Sequence, residues 1–123
     1  MTNSTIILTN KSEMSYTGDK ARGDGFYGFS DGLHTVSFHV NNLTARIWLQ
    51  ATLLEVPTEN DWFNIALSTS TEYLQADADS TTKGVTFTGN FVYLRASIDR
   101  SYLVDQTYDP SVHGVLDKIV LVI

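Results

Sequence analysis

The sequence predicts an all-β domain, an antiparallel two-sheet β-sandwich of jelly-roll or immunoglobulin-like type with seven to eight strands. Three observations predict this fold. Apolar and polar residues alternate over three long stretches, no window shows a convincing apolar period of 3.6, and turn-forming residues recur about every ten positions. Because alternation indicates strands with one buried face, we expect no helix longer than about two turns.

Seven stretches of the chain are predicted to be strands. Residues 34–40, 45–53 and 91–99 show the long alternation, and shorter apolar runs lie at 5–9, 62–67 and 85–88. The seventh stretch, residues 115–123, is rich in Val and Ile, which predicts a strand buried on both faces. Two long connections, residues 68–83 and 101–114, are predicted to be loops, and loops of this length often bind a partner or ligand.

Length and charge restrict the organisation of the chain and its partners. The 123 residues suffice for one domain; we assign residues 26–123 to the sandwich and residues 1–25 to an N-terminal arm that could become ordered on assembly. Eight basic and fourteen acidic side chains give a net charge of −6, which disfavours nucleic acid and anionic membranes as partners. The absence of cysteine excludes disulfides and a thiolate zinc site.

The histidines do not form a metal-binding pattern. His34 and His39 lie an odd number of positions apart on one predicted strand, so their side chains point to opposite faces, and His113 lies far away in a loop. We expect an outward His39 and a His34 bonded to backbone near the end of its sheet. We therefore predict no metal site and no cofactor, and we assign no catalytic residue.

Two short motifs have alternative interpretations. Asp77 and Asp79 could bind calcium on the predicted loop, but solvated loop charge is the preferred interpretation because the other ligands of a calcium loop are missing. The tripeptide Arg22-Gly23-Asp24 matches an integrin-binding sequence, and it is also an ordinary turn.

The outward positions of two predicted strands are the most informative part of the sequence. They carry aromatic residues and arginine, which protein interfaces enrich. The candidate interface residues are Arg46, Trp48, Phe91, Tyr93 and Arg95. Three interpretations stay open: a protein contact, cover by a loop or the N-terminal arm, and a platform for sugar rings. The same face leads us to expect self-association.

Four segments in a fixed order resemble a known group of proteins. They are residues 31–36 (Asp-Gly-Leu-His-Thr-Val), 47–53 (Ile-Trp-Leu-Gln-Ala-Thr-Leu), 57–63 (Pro-Thr-Glu-Asn-Asp-Trp-Phe), and 89–96 (Gly-Asn-Phe-Val-Tyr-Leu-Arg-Ala) with 114–119 (Gly-Val-Leu-Asp-Lys-Ile). The order is similar to that of small β-sandwich virion proteins of tailed bacteriophages, most of all short structural proteins of myoviruses and cyanophages. The resemblance covers roughly residues 25–123 and implies a virion role with symmetric assembly.

The expected function is therefore structural. We predict a non-enzymatic virion component, a capsid decoration or a neck, tail or fibre accessory protein, made in the bacterial host cytoplasm. Its expected partners are other virion proteins and further copies of itself. The alternative is a carbohydrate-binding module that binds host glycans and aids adhesion.

Overall fold

The computed structural model describes residues 4–9, 14–27, 32–67, 72–104 and 107–122, and it contains two antiparallel β-sheets that enclose one core. The strands are β1 (Ser4–Leu8), β2 (Ser15–Thr17), β3 (Ala21–Arg22), β4 (Leu33–Asn41), β5 (Leu43–Thr52), β6 (Phe63–Ile65), β7 (Tyr73–Asp79), β8 (Lys83–Thr88), β9 (Tyr93–Asp99) and β10 (Val115–Val122). Two one-turn helices, α1 (Asp24–Tyr27) and α2 (Pro110–His113), and a 3₁₀ turn at Glu59–Asp61 complete the described elements.

The strand order identifies the type of sandwich. One sheet has the order β1-β10-β4-β8; in the other, β9 and β5 are central, with β2 and β3 both beside β9 and with β6 and β7 both beside β5. The ten strands therefore occupy eight positions, four in each sheet. We count β2 with β3 as one position and β6 with β7 as another, and number the eight positions along the chain. The two sheets then have the orders 1-8-3-6 and 2-7-4-5, which are those of a jelly roll. The predicted β-sandwich is confirmed.

The core lies between the sheets and is built from the inward half of each alternating strand. In β5 the odd positions Ile47, Leu49 and Ala51 are fully buried, whereas Trp48 and Gln50 between them are half-buried on the other face. The same parity holds in β4 and β9. The other fully buried apolar side chains are Val36, Phe38, Leu43, Ala45, Leu94, Ala96, Leu116 and Ile119.

Two predictions about strands are wrong. Strand β7 lies inside the stretch 68–83 that was predicted to be a loop, because Leu74 and Ala76 face inward although their neighbours are polar. Strand β10 is buried on one face only: a bulge between Leu116 and Lys118 shifts its register and leaves Asp117 and Lys118 exposed.

The described parts of the first 25 residues lie on the sandwich. Strand β1 pairs with β10, and β2 and β3 pair with β9. Gly18 lies so close to β1 that a Cβ atom there would meet the carbonyl oxygen of Ile7 at 2.5 Å. Dependence of this order on assembly stays a prediction.

The described residues between β9 and β10 contact the chain where β4 passes into β5. The Asp109 side chain caps α2 by accepting a hydrogen bond from the backbone N–H of Ser111 at 3.0 Å. Gly114 ends this helix with φ +72°, and a Cβ atom there would meet the carbonyl oxygen of Asn42 at 2.0 Å. Buried Arg100 donates from Nε to the carbonyl of Thr44 at 3.2 Å and lies over the ring of Tyr108.

Candidate interaction face

The outer face of the six-stranded sheet carries rings and arginines at neighbouring strand positions. Antiparallel pairing places Trp48 opposite Ser97 on one side and opposite Tyr73 on the other, and it places Gln50 opposite Arg95. We call this surface the arginine–aromatic face. Its members are Arg46, Trp48, Gln50, Trp62, Tyr73, Gln75, Tyr93 and Arg95.

At one corner of the face, Arg46 is held between two tyrosines. The centre of its guanidinium lies 4.8 Å from the Tyr73 ring centroid and 4.2 Å from that of Tyr102. Its Nε donates to Oε1 of Gln75 at 3.0 Å, and Nε2 of Gln75 donates to the Tyr102 hydroxyl at 3.0 Å. These contacts fix the guanidinium plane, so Arg46 forms a flat, immobilised surface.

At the opposite corner, Arg95 joins three elements. Its Nε donates to Oε1 of Gln50 at 2.8 Å, and its two terminal nitrogens donate to the Glu59 carboxylate at 3.2 and 3.1 Å. The guanidinium lies 4.3 Å from the centroid of the Trp62 ring. The hydrogen bonds and charge of Arg95 lower the pKa of Glu59 below its usual value.

Between the corners, Trp48 borders a shallow depression of about 460 Å³. Its ring packs against Tyr73 with centroids 4.9 Å apart. The other walls are mostly hydroxyl, amide and carboxylate groups, contributed by Ser15, Thr17, Gln50, Asn64, Ser97 and Asp99. Burial raises the pKa of Asp99, but hydrogen bonds from Ser101 and Ser15 outweigh it and leave this pKa lowered. The depression thus combines one indole with polar groups and a carboxylate that stays charged at neutral pH.

Tyr93 lies at the edge of the face, where the N-terminal segment approaches it. Its ring centroid is 5.6 Å from that of Phe26 in α1, and Nζ of Lys20 lies 5.2 Å from the same ring. Cover of the face by the N-terminal arm, one of the three interpretations left open by the sequence, is thus observed at Tyr93.

Phe91 does not lie on this face, so its predicted outward orientation is wrong. Strand β9 begins only at Tyr93, and the backbone bends at Val92, which ends the alternation. The ring of Phe91 instead packs at the end of the sandwich against His34 and Phe87, with centroid distances of 5.6 and 6.0 Å.

Three members of the face were missed in the sequence. Tyr73 and Gln75 belong to β7, and alternation with Leu74 and Ala76 was the signal that could have identified them. Trp62 was placed at the start of the predicted strand 62–67, but it follows the turn at Glu59–Asp61, which carries its ring over Arg95. That turn has its own signal, since Thr58 and Asp61 form a capping box.

The remaining candidate residues have structural contacts. His34 is buried, with Nδ1 bonded to the Gly32 carbonyl at 3.0 Å and Nε2 accepting from the Asp24 backbone N–H at 3.1 Å, as predicted for a backbone-bonded histidine. Asp24 itself is only 1% exposed and accepts from Gly32 N–H, so the Arg22-Gly23-Asp24 tripeptide does not present its carboxylate. Asp79 forms an ion pair with Lys83.

Among the described residues, no three His, Asp or Glu side chains lie close enough together to hold a metal ion. None of the described helices is long and apolar enough to span a membrane. No protein-family profile, curated protein or solved structure matches this chain.

Proposed function

We propose that this chain is a non-enzymatic structural component of a bacteriophage virion, a capsid decoration or a neck, tail or fibre accessory protein. It acts through protein–protein contacts made by the arginine–aromatic face. In this proposal the chain is made in the host cytoplasm and resides in the virion, and its partners are other virion proteins.

The observation that supports this function best is the preorganisation of the face. Arg46 and Arg95 are each fixed by a ring and by side-chain hydrogen bonds, and Trp48 is fixed against Tyr73. Rigid aromatic and arginine side chains are the residue types that dominate interface energetics, because little conformational entropy is lost when they bind.

Two further arguments favour a virion role. The four sequence segments described above resemble phage structural proteins, and they include Trp48, Trp62, Tyr93 and Arg95 of the face. The jelly roll recurs in viral capsid proteins, but it also occurs in lectins, so the fold is an analogy and does not itself assign the function. On a symmetric particle many weak copies attach stably, because multivalency replaces a single tight contact.

The depression beside Trp48 favours a second candidate, carbohydrate binding for host adhesion. An indole against which a sugar ring can stack, surrounded by amides, hydroxyls and the charged Asp99, has the chemistry needed to bind a saccharide. Glycan recognition and protein contact use the same tryptophan but different ligands, so binding experiments separate them.

The decisive experiment measures binding of the purified chain to phage particles that lack it. Trp48→Ala should weaken binding by about 30-fold or more, since a buried interface aromatic contributes about 2 kcal/mol. Its free energy of unfolding should fall by only about 0.5–1.5 kcal/mol, the contribution of the aromatic pair with Tyr73.

The matched control is Thr35→Ala, an exposed position on the outer side of the other sheet, which should leave particle binding unchanged. Equal binding of the Trp48→Ala and wild-type chains to particles would refute the proposal. The carbohydrate alternative would be established by a different result. The wild-type chain would bind a glycan array saturably but not bind particles, and Trp48→Ala would lose the glycan binding.

A further inference from the structure

The depression beside Trp48 contains a single formal charge. Among the described residues that line it, only Asp99 is charged at neutral pH. Its Oδ1 atom accepts hydrogen bonds from the Ser15 hydroxyl at 2.8 Å and from the backbone N–H of Ser101 at 3.0 Å. Because a carboxylate has about four acceptor sites on its two oxygens, Asp99 can accept further N–H donors. The depression therefore offers a negative group to a ligand.

Neither arginine of the arginine–aromatic face occupies this carboxylate. Arg46 lies opposite Asp99 in the strand register and is near enough to interact with it electrostatically. The guanidinium of Arg46 is instead bonded to Gln75 and stacked on two tyrosines, and it forms no ion pair within the described part of the chain. The carboxylate that Arg95 binds is that of Glu59. The charge of Asp99 is therefore available to a partner.

Two further carboxylates lie on the same side of the sheet. Nε2 of Gln50 donates to Oδ1 of Asn64 at 3.1 Å, and Nδ2 of Asn64 donates to Oε2 of Glu72 at 2.9 Å. Nε2 of Gln75 donates to Oδ1 of Asp77 at 3.2 Å. The whole chain carries a net charge of −6. The local and the overall charge thus both attract a cation and repel an anion.

The indole of Trp48 adds an aromatic surface that suits a cation. It borders the depression, and its ring packs against Tyr73 with centroids 4.9 Å apart. Ammonium and guanidinium groups are attracted to aromatic ring faces, and tryptophan attracts them most strongly. A neutral apolar side chain would use the indole but leave the carboxylate of Asp99 without a partner. A long cationic side chain uses both groups.

We propose that this depression receives a cationic side chain, lysine or arginine, from the partner protein. The inference rests on the protein contact proposed above and specifies the chemistry of the partner at that site. The nitrogen of the incoming side chain donates to the carboxylate of Asp99, and its aliphatic stem lies against the indole of Trp48.

Peptides with a single side chain test the site directly. The probes are N-acetyl-lysine methylamide and N-acetyl-arginine methylamide; the control is N-acetyl-norleucine methylamide, which lacks the ammonium group. The chain contains two tryptophans, so NMR can follow two indole N–H signals. The Trp48 signal should report binding of a cationic probe about fivefold tighter than that of the control. The Trp62 signal, at the Arg95 corner, should not move.

Asp99→Asn is the diagnostic variant. Asparagine keeps an oxygen that can accept from Ser15 and Ser101 but removes the negative charge. The variant should bind the cationic probes no tighter than the norleucine control, and about 1 M salt should have the same effect on wild type. The matched control is Asp117→Asn, the same change at an exposed position of the other sheet, which should leave the fivefold preference intact.

Several outcomes would overturn the proposal. They are an equal response of the Trp48 signal to charged and uncharged probes, no response to any probe, and a preference for cations that survives Asp99→Asn. A response to a neutral methyl glycoside but not to the cationic probes would assign the depression to carbohydrate.

Binding to particles that lack the chain distinguishes this proposal from the proposed function. Particle binding that Trp48→Ala weakens but Asp99→Asn leaves unchanged would retain the protein contact and overturn the cationic partner. A preference for cations that depends on Asp99, without any particle binding, would support the cation site and contradict the virion role.

Discussion

The outer faces of the two sheets have the same alternation but different side chains. On the four-stranded sheet the outward positions include Ile6 and Leu33, which are exposed. The others shown to be bonded to one another are mostly small and polar, such as Thr35 and Thr86, whose hydroxyls lie 3.1 Å apart, and Ser37, whose hydroxyl lies 2.8 Å from Nε2 of His39. On the six-stranded sheet they carry arginines, amides and rings that are bonded to one another. Both sheets bury an apolar inner side in the same core, so the difference between the two faces lies outside the core.

The contrast shows that the inward and outward positions of an alternating strand are informative about different properties. The inward half decides whether a strand forms and which way it faces, and it is apolar in both sheets. The outward half is free to vary, and a large departure from small polar residues indicates that something other than water contacts it. The predictions below test the contrast, starting with the largest effect.

The largest effect is expected for Ile47→Ala, which tests the parity on which the contrast rests. Ile47 is fully buried next to outward Trp48, so its truncation should lower the free energy of unfolding by about 2–5 kcal/mol. Chemical denaturation of wild type and variant measures the difference. A loss below that of Trp48→Ala would mean that the inward and outward sides of β5 are exchanged.

A smaller effect is expected for Arg95→Ala. The change removes the hydrogen bond to Gln50 and the stacking on Trp62, which together should cost about 1–2 kcal/mol of unfolding free energy. Arg95→Lys should recover only part of the loss, because an ammonium neither stacks flat nor donates two parallel bonds. The control is Lys118→Ala on the other face, expected within about 0.5 kcal/mol of wild type. An equal effect of the two alanine changes would remove the structural distinction between the faces.

The smallest effect is a change in titration. Arg95 lowers the pKa of Glu59, so Arg95→Ala should raise that pKa toward its usual value, which carboxyl NMR shifts can measure. Asp61 is the internal control, because the hydrogen bonds that lower its pKa come from Thr58 and should survive.

The sign of the accompanying stability change follows from linkage. A carboxyl group whose pKa is lowered by folding contributes stability above its unfolded-state pKa and loses that contribution as pH falls through the folded-state pKa. Wild type and Arg95→Ala should therefore differ in unfolding free energy by a part that comes from Glu59. This part should be present at neutral pH and vanish in acid. A difference that grows in acid would contradict the assignment of this ion pair.

The sequence predicts those parts of the fold in which one physical signal dominates. In β4, β5 and β9 the inward residues are apolar apart from His34 near the start of β4, so period and parity could be inferred directly. Strand β7 was missed because its sequence, Tyr-Leu-Gln-Ala-Asp-Ala-Asp, buries little and owes its pairing to β5. Its strand character is set by a tertiary partner and not by its own composition.

Only some residues of the candidate site could be predicted from the sequence, for the same reason. Arg46, Trp48, Tyr93 and Arg95 lie on regular strands, whereas Trp62 and Tyr102 reach the face from a turn and a loop. The alternation of inward and outward side chains holds only within a regular strand. Phe91 precedes the start of β9 at Tyr93, and for this reason it was assigned to the wrong side.

The pairing of β1 with β10 also determines the order in which the molecule can fold. Ser4 lies opposite Val122, so this pair joins residues separated by almost the whole chain, and closing so long a loop is costly in entropy. Folds dominated by such distant pairings reach the native state slowly, in milliseconds to seconds. The four-stranded sheet therefore cannot be completed until β10 has been synthesised, and a chain that has yet to dock β1 leaves the edge of β10 open to other strands.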